Sequence, residues 1–203
     1  GLSGVTPSEN LVSAYEKLDN YSASNPYENR DPRLGYSVVV NGSNWNNRTI
    51  DQTAGGSDDR RRTNASRTGY YLKKFVNDNV NLVNNATNPH NWPLFRYGDL
   101  LLIYAEAMNE AYGADQANGW GLSAREAINK LRARPGVNMP AVQVSGKADL
   151  RTAIKHERQV ELAFENHRYW DLIRWGDAAN VLNKPIYGVT VTKTASGALE
   201  YGT

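Results

Sequence analysis

Glu157, Glu161 and Glu165 follow one another at i, i+4 and i+8, with His156, Arg158 and Arg168 close by. On a helix these acids share one face. Two chemistries fit such a stripe: a carboxylate-rich metal site, or an ion-pair network that ties helices together. Di-metal bundles draw Glu-x-x-His motifs from two helices, and the sequence holds neither that spacing nor a second donor helix. The network is the better reading. Three like charges on one face repel, so arginine partners are required, and Arg30, Arg33 and Arg174 are the candidates. His90, His156 and His167 are scattered, and the i, i+4 pair His167 and Asp171 reads as structural. Gly-x-Ser-x-Gly, the phosphate loop and Gly-x-Gly-x-x-Gly are absent. Paired acids for sugar hydrolysis have no fixed sequence spacing, and nothing singles out one pair. The sequence therefore offers no catalytic residue, no metal set and no cofactor motif.

The loop aromatics carry a different chemistry. Tyr21, Tyr27, Tyr36, Trp45 and Trp92 stand in polar surroundings, outside any helical stripe. Flat rings stack on the C–H faces of sugars, and Asn or Arg beside them can hydrogen-bond hydroxyls. Trp45 with Asn44, Asn46, Asn47 and Arg48 has that chemistry most completely. The candidate ligand-binding residues are Trp45, Tyr36, Tyr21, Tyr27, Asn46 and Arg48. The alternative role for each ring is to plug the underside of a long loop. Trp120, Trp170 and Trp175 are expected to pack on helices. Arg60-Arg61-Arg62 beside Asp58-Asp59 reads as a solvated, mutually neutralised loop. Asn-x-Ser/Thr triplets at Asn47 and Asn64 are what chance produces in a chain this rich in Asn and Thr.

Composition bounds what can position these residues. The chain has 203 residues, with 23 Lys plus Arg against 21 Asp plus Glu and a net charge of +2. That is one domain or slightly more, long enough to bury a core. Near-neutrality argues against nucleic acid as a partner. The absence of cysteine excludes disulfides, thiol catalysis and Cys-based zinc sites. No apolar run approaches the ~20 residues of a membrane span. Gly1-Leu2-Ser3-Gly4 lacks a signal peptide's basic and apolar regions, so the chain is cytoplasmic or begins after a signal. Tyr (12) and Trp (5) outnumber Phe (3), a bias toward rings with a polar handle.

The first half is poor in regular pattern. Leu11, Ala14, Tyr15 and Leu18 predict a short helix over 8–18. Residues 19–35 are turn-rich, with breakers at Asn25-Pro26 and Asp31-Pro32. Tyr36 to Val40 reads as a strand closed by Asn41-Gly42. Residues 41–69 are too long for an ordinary loop. Tyr70 to Phe75 reads as a short strand, and 77–91 as an Asn-rich loop. The second half is helical. A helix from Tyr97 to Tyr112 would have Asp99 as N-cap, Gly113 as stop, and Leu100, Ile103, Tyr104, Ala107 and Ala111 as its apolar face. A second, Ala124 to Arg134, opens on the capping box Ser123-x-x-Glu126 and ends at Pro135-Gly136. A third starts near Asp149, with Leu150, Ala153, Ile154, Glu157, Val160 and Phe164 inward. A fourth covers Arg168 to Ala179. Val189 to Thr192 begins a hairpin with Ser196-Gly197 in its turn.

The pair 97–134, with Ala105 and Ala107 allowing close approach, is similar to one tetratricopeptide repeat. A lone repeat cannot bury its face, so further helices are expected outside this chain. Three blocks carry a wider resemblance. The first is Pro7-Ser8-Glu9-Asn10-Leu11-Val12-Ser13-Ala14-Tyr15-Glu16 with Asn29-Arg30-Asp31-Pro32-Arg33-Leu34. The second is Thr68-Gly69-Tyr70-Tyr71-Leu72-Lys73-Lys74. The third runs from Arg96-Tyr97-Gly98-Asp99-Leu100-Leu101-Leu102 through Ile128-Asn129-Lys130-Leu131-Arg132-Ala133-Arg134-Pro135-Gly136 to Arg168-Tyr169-Trp170-Asp171-Leu172-Ile173-Arg174-Trp175-Gly176. In order and spacing the chain resembles the C-terminal portion of the SusD/RagB family of Bacteroidota surface lipoproteins.

The resemblance implies a mostly α fold, with tetratricopeptide-like helix pairs, long loops and a few short strands. Residues 1–95 would be a loop-rich segment with the candidate ligand loops, and 96–203 the helical C-terminal region. Both would be parts of one domain whose N-terminal half lies outside this chain. The family captures glycans, or in some members peptides, at the cell surface. It delivers them to a SusC-like TonB-dependent transporter of the outer membrane. Anchoring through a lipidated cysteine, also outside this chain, is implied. The alternatives are a helical scaffold that docks proteins, a peptide-binding member, and, least favoured, a glycoside hydrolase.

Overall fold

Two compact units divide the chain in a computed structural model that describes residues 4–77, 80 and 84–203. Gly1–His90 with Asn183–Thr203 form one, and Asn91–Leu182 the other. The leader reading at Gly1 to Gly4, and part of the loop expected over 77–91, fall on residues outside that description.

The second unit is helical. It comprises α3 (Tyr97–Tyr112), α4 (Ala124–Arg132), α5 (Gly146–Glu161), α6 (His167–Trp175) and α7 (Ala178–Leu182). Helix α3 packs on α4 and α5, and Leu102, Ala105, Ala127, Ile128, Leu150 and Ile154 are sealed between them. The small residues Ala105 and Ala127 allow the close approach expected of a helical pair. The phase of α3 differs from the expected one. Leu101, Leu102, Ala105 and Met108 face inward, whereas Leu100 and Ile103 are 53% and 47% exposed. Four consecutive apolar residues, Leu100 to Ile103, give α3 two apolar faces, so periodicity alone cannot choose between them. Asp99 does not cap this helix either. Arg96 holds the cap position in extended backbone, and Asp99 is buried beside Arg158, 3.3 Å away.

Helix α4 begins on a complete capping box. Ser123 Oγ accepts from Glu126 N at 3.2 Å, and Glu126 Oε2 accepts from Ser123 N at 2.7 Å. Such a cap contributes about 1 kcal/mol. Helix α5 starts three residues earlier than expected, after Ser145. Helix α6 lies between two left-handed residues, Asn166 and Gly176, and Gly is favoured at that C-terminal position. Two of the three tryptophans expected to pack on helices do not: Trp120 and Trp170 are each 67% exposed. The Trp120 segment is anchored by backbone, because Tyr104 Oη donates to the carbonyls of Trp120 and Leu122. On α6, Asp171 and Leu172 take the inward positions and leave Trp170 outside. Trp175 does pack, with its indole N–H donating to Glu106 at 2.7 Å.

The three glutamates form an ion-pair network. Glu157 pairs with Arg132 at 2.8 Å, and Glu161 with Arg96 at 2.6 Å and Arg134 at 2.8 Å. Glu165 meets the same Arg96 at 2.7 Å. These partners come from the cap position of α3, from α4 and from the turn after α4. Of the expected ones, Arg174 binds Glu106 and Asp171, Arg33 chelates Asp31 at 2.6 Å, and Arg30 binds backbone. His167 Nε2 lies 4.0 Å from Asp99, while Asp171 is held by Arg158 and Arg174, so the two residues of that i, i+4 pair face different partners.

The first unit holds the short elements α1 (Glu9–Val12), α2 (Arg33–Ser37), β1 (Val38–Val39), β2 (Asn44–Trp45), β3 (Arg48–Thr49), β4 (Tyr71–Leu72), β5 (Thr190–Lys193) and β6 (Leu199–Gly202). Strand β1 pairs antiparallel with β4, β2 with β3, and β5 with β6. The hairpin expected at 189–203 is present, with Gly197 at positive φ in its turn. Helix α1 stops at Val12, well short of 18. Arg30 captures the freed carbonyls, donating to Val12 O at 2.7 Å, Tyr15 O at 2.7 Å and Pro26 O at 2.9 Å. The strand expected from Tyr36 is shortened by α2. Asp31 accepts from the Arg33 backbone N–H at 2.9 Å, and Pro32 supplies helical φ at the start of the turn. The closing segment joins the opening one: Glu9 N donates to Tyr187 O, and Val189 N to Thr68 O. A Cβ on Gly69 would lie 2.7 Å from Val189 Cγ1, and one on Gly188 2.7 Å from Thr68 Cα, so both positions need glycine.

Among the described residues, no helix is long and apolar enough to cross a membrane.

Candidate functional site

The segment from Asn41 to Ser66 is ordered by side chains. Asn41 Oδ1 accepts from Gln52 N at 2.9 Å, which closes the base of the β2–β3 hairpin. Asn44 faces Thr49, and Trp45 faces Arg48. The two residues between them, Asn46 and Asn47, have φ of 52° and 58°. Positive φ at both central positions matches the twist of a two-residue hairpin, and asparagine tolerates it better than other side-chain-bearing residues. The asparagines therefore make the turn that sets Trp45 beside Arg48.

Arg48 is braced from below. Its Nη1 and Nη2 donate to the Asp58 carboxylate at 2.6 and 2.7 Å, while half of its side chain stays in solvent. Asp58 also accepts from Ser57 Oγ and from Asp51 N. Burial by itself would raise the Asp58 pKa, but these donors win and hold it below the usual carboxylate range. The bond to Asp58 in turn raises Arg48. The next turn repeats the device. Asp59 accepts from Arg61 and from Gly55 N, and those bonds, with that from the Arg61 backbone, pull it well below its ordinary value. Arg62 donates to Gly56 O. The expectation of a solvated, mutually neutralised loop holds only in part: Asp59 pairs with Arg61 inside the Asp58-to-Arg62 run, but Asp58 is taken by Arg48 from outside it, and both aspartates are buried.

The six candidate residues fall into separate settings. Trp45, Asn46 and Arg48 share the hairpin, with Asn46 and Arg48 exposed and Trp45 half-buried. Tyr36 stands exposed on α2. Tyr21 lies under cations, with Lys17 Nζ at 4.3 Å and the Arg30 guanidinium at 5.7 Å from its ring centroid. Tyr27 is packed edge-on against Tyr70 at 6.2 Å and Tyr201 at 5.4 Å. Its hydroxyl meets that of Tyr70, which donates to Glu9. Burial raises the pKa of both phenols, so they stay neutral. Tyr201 also accepts from Asn41 Nδ2 at 3.4 Å, which places the ring cluster beneath the hairpin base. Sequence reasoning missed Asp58 as the support of Arg48. The ten-residue separation crosses a run of Gly, Ser and Asp with no period to follow.

The arrangement offers a stacking face, three exposed amides (Asn44, Asn46 and Asn47) and an oriented guanidinium. The sequence profile of the SusD family matches residues 1–202. The chain belongs to the SusD family. A SusD-like protein of Formosa agariphila is 37% identical over 97 residues, which cover 48% of this chain and 19% of that protein. A second SusD-like protein of the same organism is 35% identical over 114 residues, covering 55% and 20%. Among solved structures, a SusD-like carbohydrate-binding protein from Bacteroides fragilis superposes with a TM-score of 0.73 at 30% identity, over 90% of this chain and 37% of that one. Another SusD-like protein from B. fragilis gives 0.73 at 24% identity, over 98% and 41%, and supports the fold. The matched region spans about a fifth of the curated SusD-like relatives and about two-fifths of the solved chains. The mostly helical architecture with few short strands is that of the SusD-like neighbours.

Proposed function

We propose that this chain is part of a surface protein that captures oligo- or polysaccharide nutrients and delivers them to a SusC-like TonB-dependent transporter of the outer membrane. The observation that carries the reading is the Trp45–Arg48 hairpin in a member of the SusD family. That the similar B. fragilis protein is a carbohydrate-binding protein supports glycan as the ligand class. Capture is non-covalent. The Trp45 ring stacks on a sugar face, while Asn46 and Arg48 bond hydroxyls, with water filling gaps. Each neutral hydrogen bond contributes on the order of 1 kcal/mol, and weak contacts suit a protein that must release its cargo. The proposed role is capture rather than turnover, with no bond in the sugar broken.

Tyr36, Tyr21 and Tyr27 are secondary candidates. The ligand loops lie in residues 1–95 and the helical support in 96–203, both parts of one SusD domain. Anchoring at the cell surface is through a lipidated cysteine, a residue type this chain does not contain. One observation favours a second reading: the outer face of α3, with Leu100 and Ile103 exposed, suits a protein-docking scaffold or a peptide-binding member with no sugar site.

The test is tryptophan fluorescence against a panel of neutral glycans, repeated with Trp45→Ala. Saturable quenching that the substitution removes is the expected result. Unchanged fluorescence with every glycan would sink capture by this hairpin and favour the docking reading.

A further inference from the structure

The turn between α5 and α6 opens onto a surface cleft of about 430 Å³ lined by Leu162, Phe164, Asn166, Arg168, Tyr169 and Trp170. That volume lies within the roughly 300–1,000 Å³ of small-molecule sites. Phe164 and Asn166 both hold positive φ, 65° and 63°, a conformation costly for side-chain-bearing residues, phenylalanine above all. Tyr169 and Trp170 stand edge to face at 5.3 Å with more than half of each ring in solvent. Neither is used to bury a core.

Arg168 differs from the arginines around it. Arg96, Arg132, Arg134, Arg158 and Arg174 all hold carboxylates. Among the described residues, the half-buried Arg168 guanidinium has no hydrogen bond and no ion pair. Its neighbouring acids are already engaged: Asp171 by Arg158 and Arg174, and Asp177 by Lys155 at 2.6 Å. Burial works against the Arg168 charge and lowers its pKa, although Asp171 and Asp177 oppose the shift. A half-buried guanidinium without a hydrogen-bonded partner loses part of its hydration, and an anion entering the cleft offsets that loss. The surroundings favour an anion for two more reasons. The cleft lies at the N-terminal end of α6, the positive end of its dipole, and the first turn of α6 carries no acidic residue. Asn166 makes no side-chain cap there, so its amide can face a ligand.

We propose that this cleft is a second saccharide subsite that selects an anionic sugar, one bearing a carboxylate or a sulfate ester. The ring of the sugar stacks on Trp170, its anionic group takes the fork of Arg168 in two parallel hydrogen bonds, and Asn166 reads an adjacent hydroxyl. The inference rests on the glycan-capture reading and adds to it a second site and a charge preference.

The full chain is titrated with a glucuronate-terminated disaccharide, its neutral glucose counterpart, a 6-sulfated disaccharide and inorganic sulfate, and the indole N–H resonances are followed. The charged sugars shift the Trp170 resonance saturably, and bind about tenfold or more tightly than the neutral one, as a charge-assisted hydrogen bond implies. The stronger of the two assigns carboxylate or sulfate as the preferred group. Arg168→Gln removes the margin between charged and neutral sugars. Trp170→Ala, at an exposed position, weakens both charged sugars. Equal affinity for charged and neutral sugars, an unmoved Trp170 resonance, or inorganic sulfate binding as well as the charged sugars would each overturn the proposal. The Trp170 resonance of the unmodified chain decides it even where a variant folds poorly. If the neutral sugar still moves Trp45, only the cleft proposal fails; if no sugar moves any resonance, glycan capture fails with it.

Discussion

Arg132 and Glu157 face each other at 2.8 Å across α4 and α5, with only 4% and 1% of their side chains exposed. Arg132 Nε also donates to Pro140 O at 2.7 Å, so the same guanidinium holds the chain that leaves α4. Taking two charges out of water is expensive, and only close geometry with satisfied hydrogen bonds offsets it.

Removing one member of that pair is therefore worse than removing both. Glu157→Leu leaves a buried guanidinium without its carboxylate and is expected to cost about 3–5 kcal/mol. Arg132→Met combined with Glu157→Leu costs less than Glu157→Leu alone. Urea unfolding of the three proteins checks the order, and a double variant less stable than the single one would refute it.

Acid should release α6 from α3. Burial alone would raise the Glu106 pKa, but hydrogen bonds from Arg174 and Trp175 bring it below its ordinary 4.5. A carboxylate with a depressed folded pKa stabilises the protein fully above its unfolded value, and loses that contribution as pH falls through the folded one. Glu110, drawn down to about 2 chiefly by Arg151, behaves likewise. The expected outcome is a step in the Trp175 indole resonance below pH 4.5. In Glu106→Gln that step should vanish, and its persistence would contradict the assignment.

The β2–β3 turn should tolerate glycine and reject β-branched residues. At the positive φ of Asn46 and Asn47, valine costs about 1–2 kcal/mol per position. Asn46→Gly keeps the cross-strand contact between Trp45 and Arg48 in nuclear Overhauser spectra, and Asn46→Val weakens it. Equal spectra for the two would rule out the turn as the element that sets that contact.

Ser123→Ala removes one half of the α4 capping box and is expected to lower stability by about 1 kcal/mol. Chemical denaturation reads this directly, and Ser123→Asp should restore most of the loss.

The helical half was legible because its signals are local. Ser123-x-x-Glu126 marks the start of α4, and Gly113 the end of α3. The phase of α3 was not legible, because Leu100 to Ile103 serve two faces and only the packing of α4 and α5 decides between them. The first unit was harder for a related reason. Tyr36 to Val40 has strand propensity, but a carboxylate and a proline a few residues upstream turn its beginning into helix. The arginines that pair with Glu161 and Glu165 come from positions far away along the chain, which no spacing rule reaches. At the candidate site, Trp45, Asn46 and Arg48 were legible by adjacency. Their cross-strand arrangement was not, because Asn-Trp-Asn-Asn-Arg-Thr has no apolar alternation and its turn signal is only two asparagines.

The first unit joins the segment around Glu9 to β5, β6 and the stretch around Tyr187 that bonds to Glu9. Asn10 and Tyr187, hydrogen-bonded to one another, lie 177 residues apart in the chain, so a ribosome makes these pieces at well-separated moments. The helices of Asn91–Leu182 are complete before Val189 exists, so they can condense while the earlier segment waits for its closing strands. Domains fold as units during synthesis, and contacts between residues so far apart in sequence form slowly. The loops that carry Trp45 thus become rigid after the helices of the second unit, and stay open to proteases for longer.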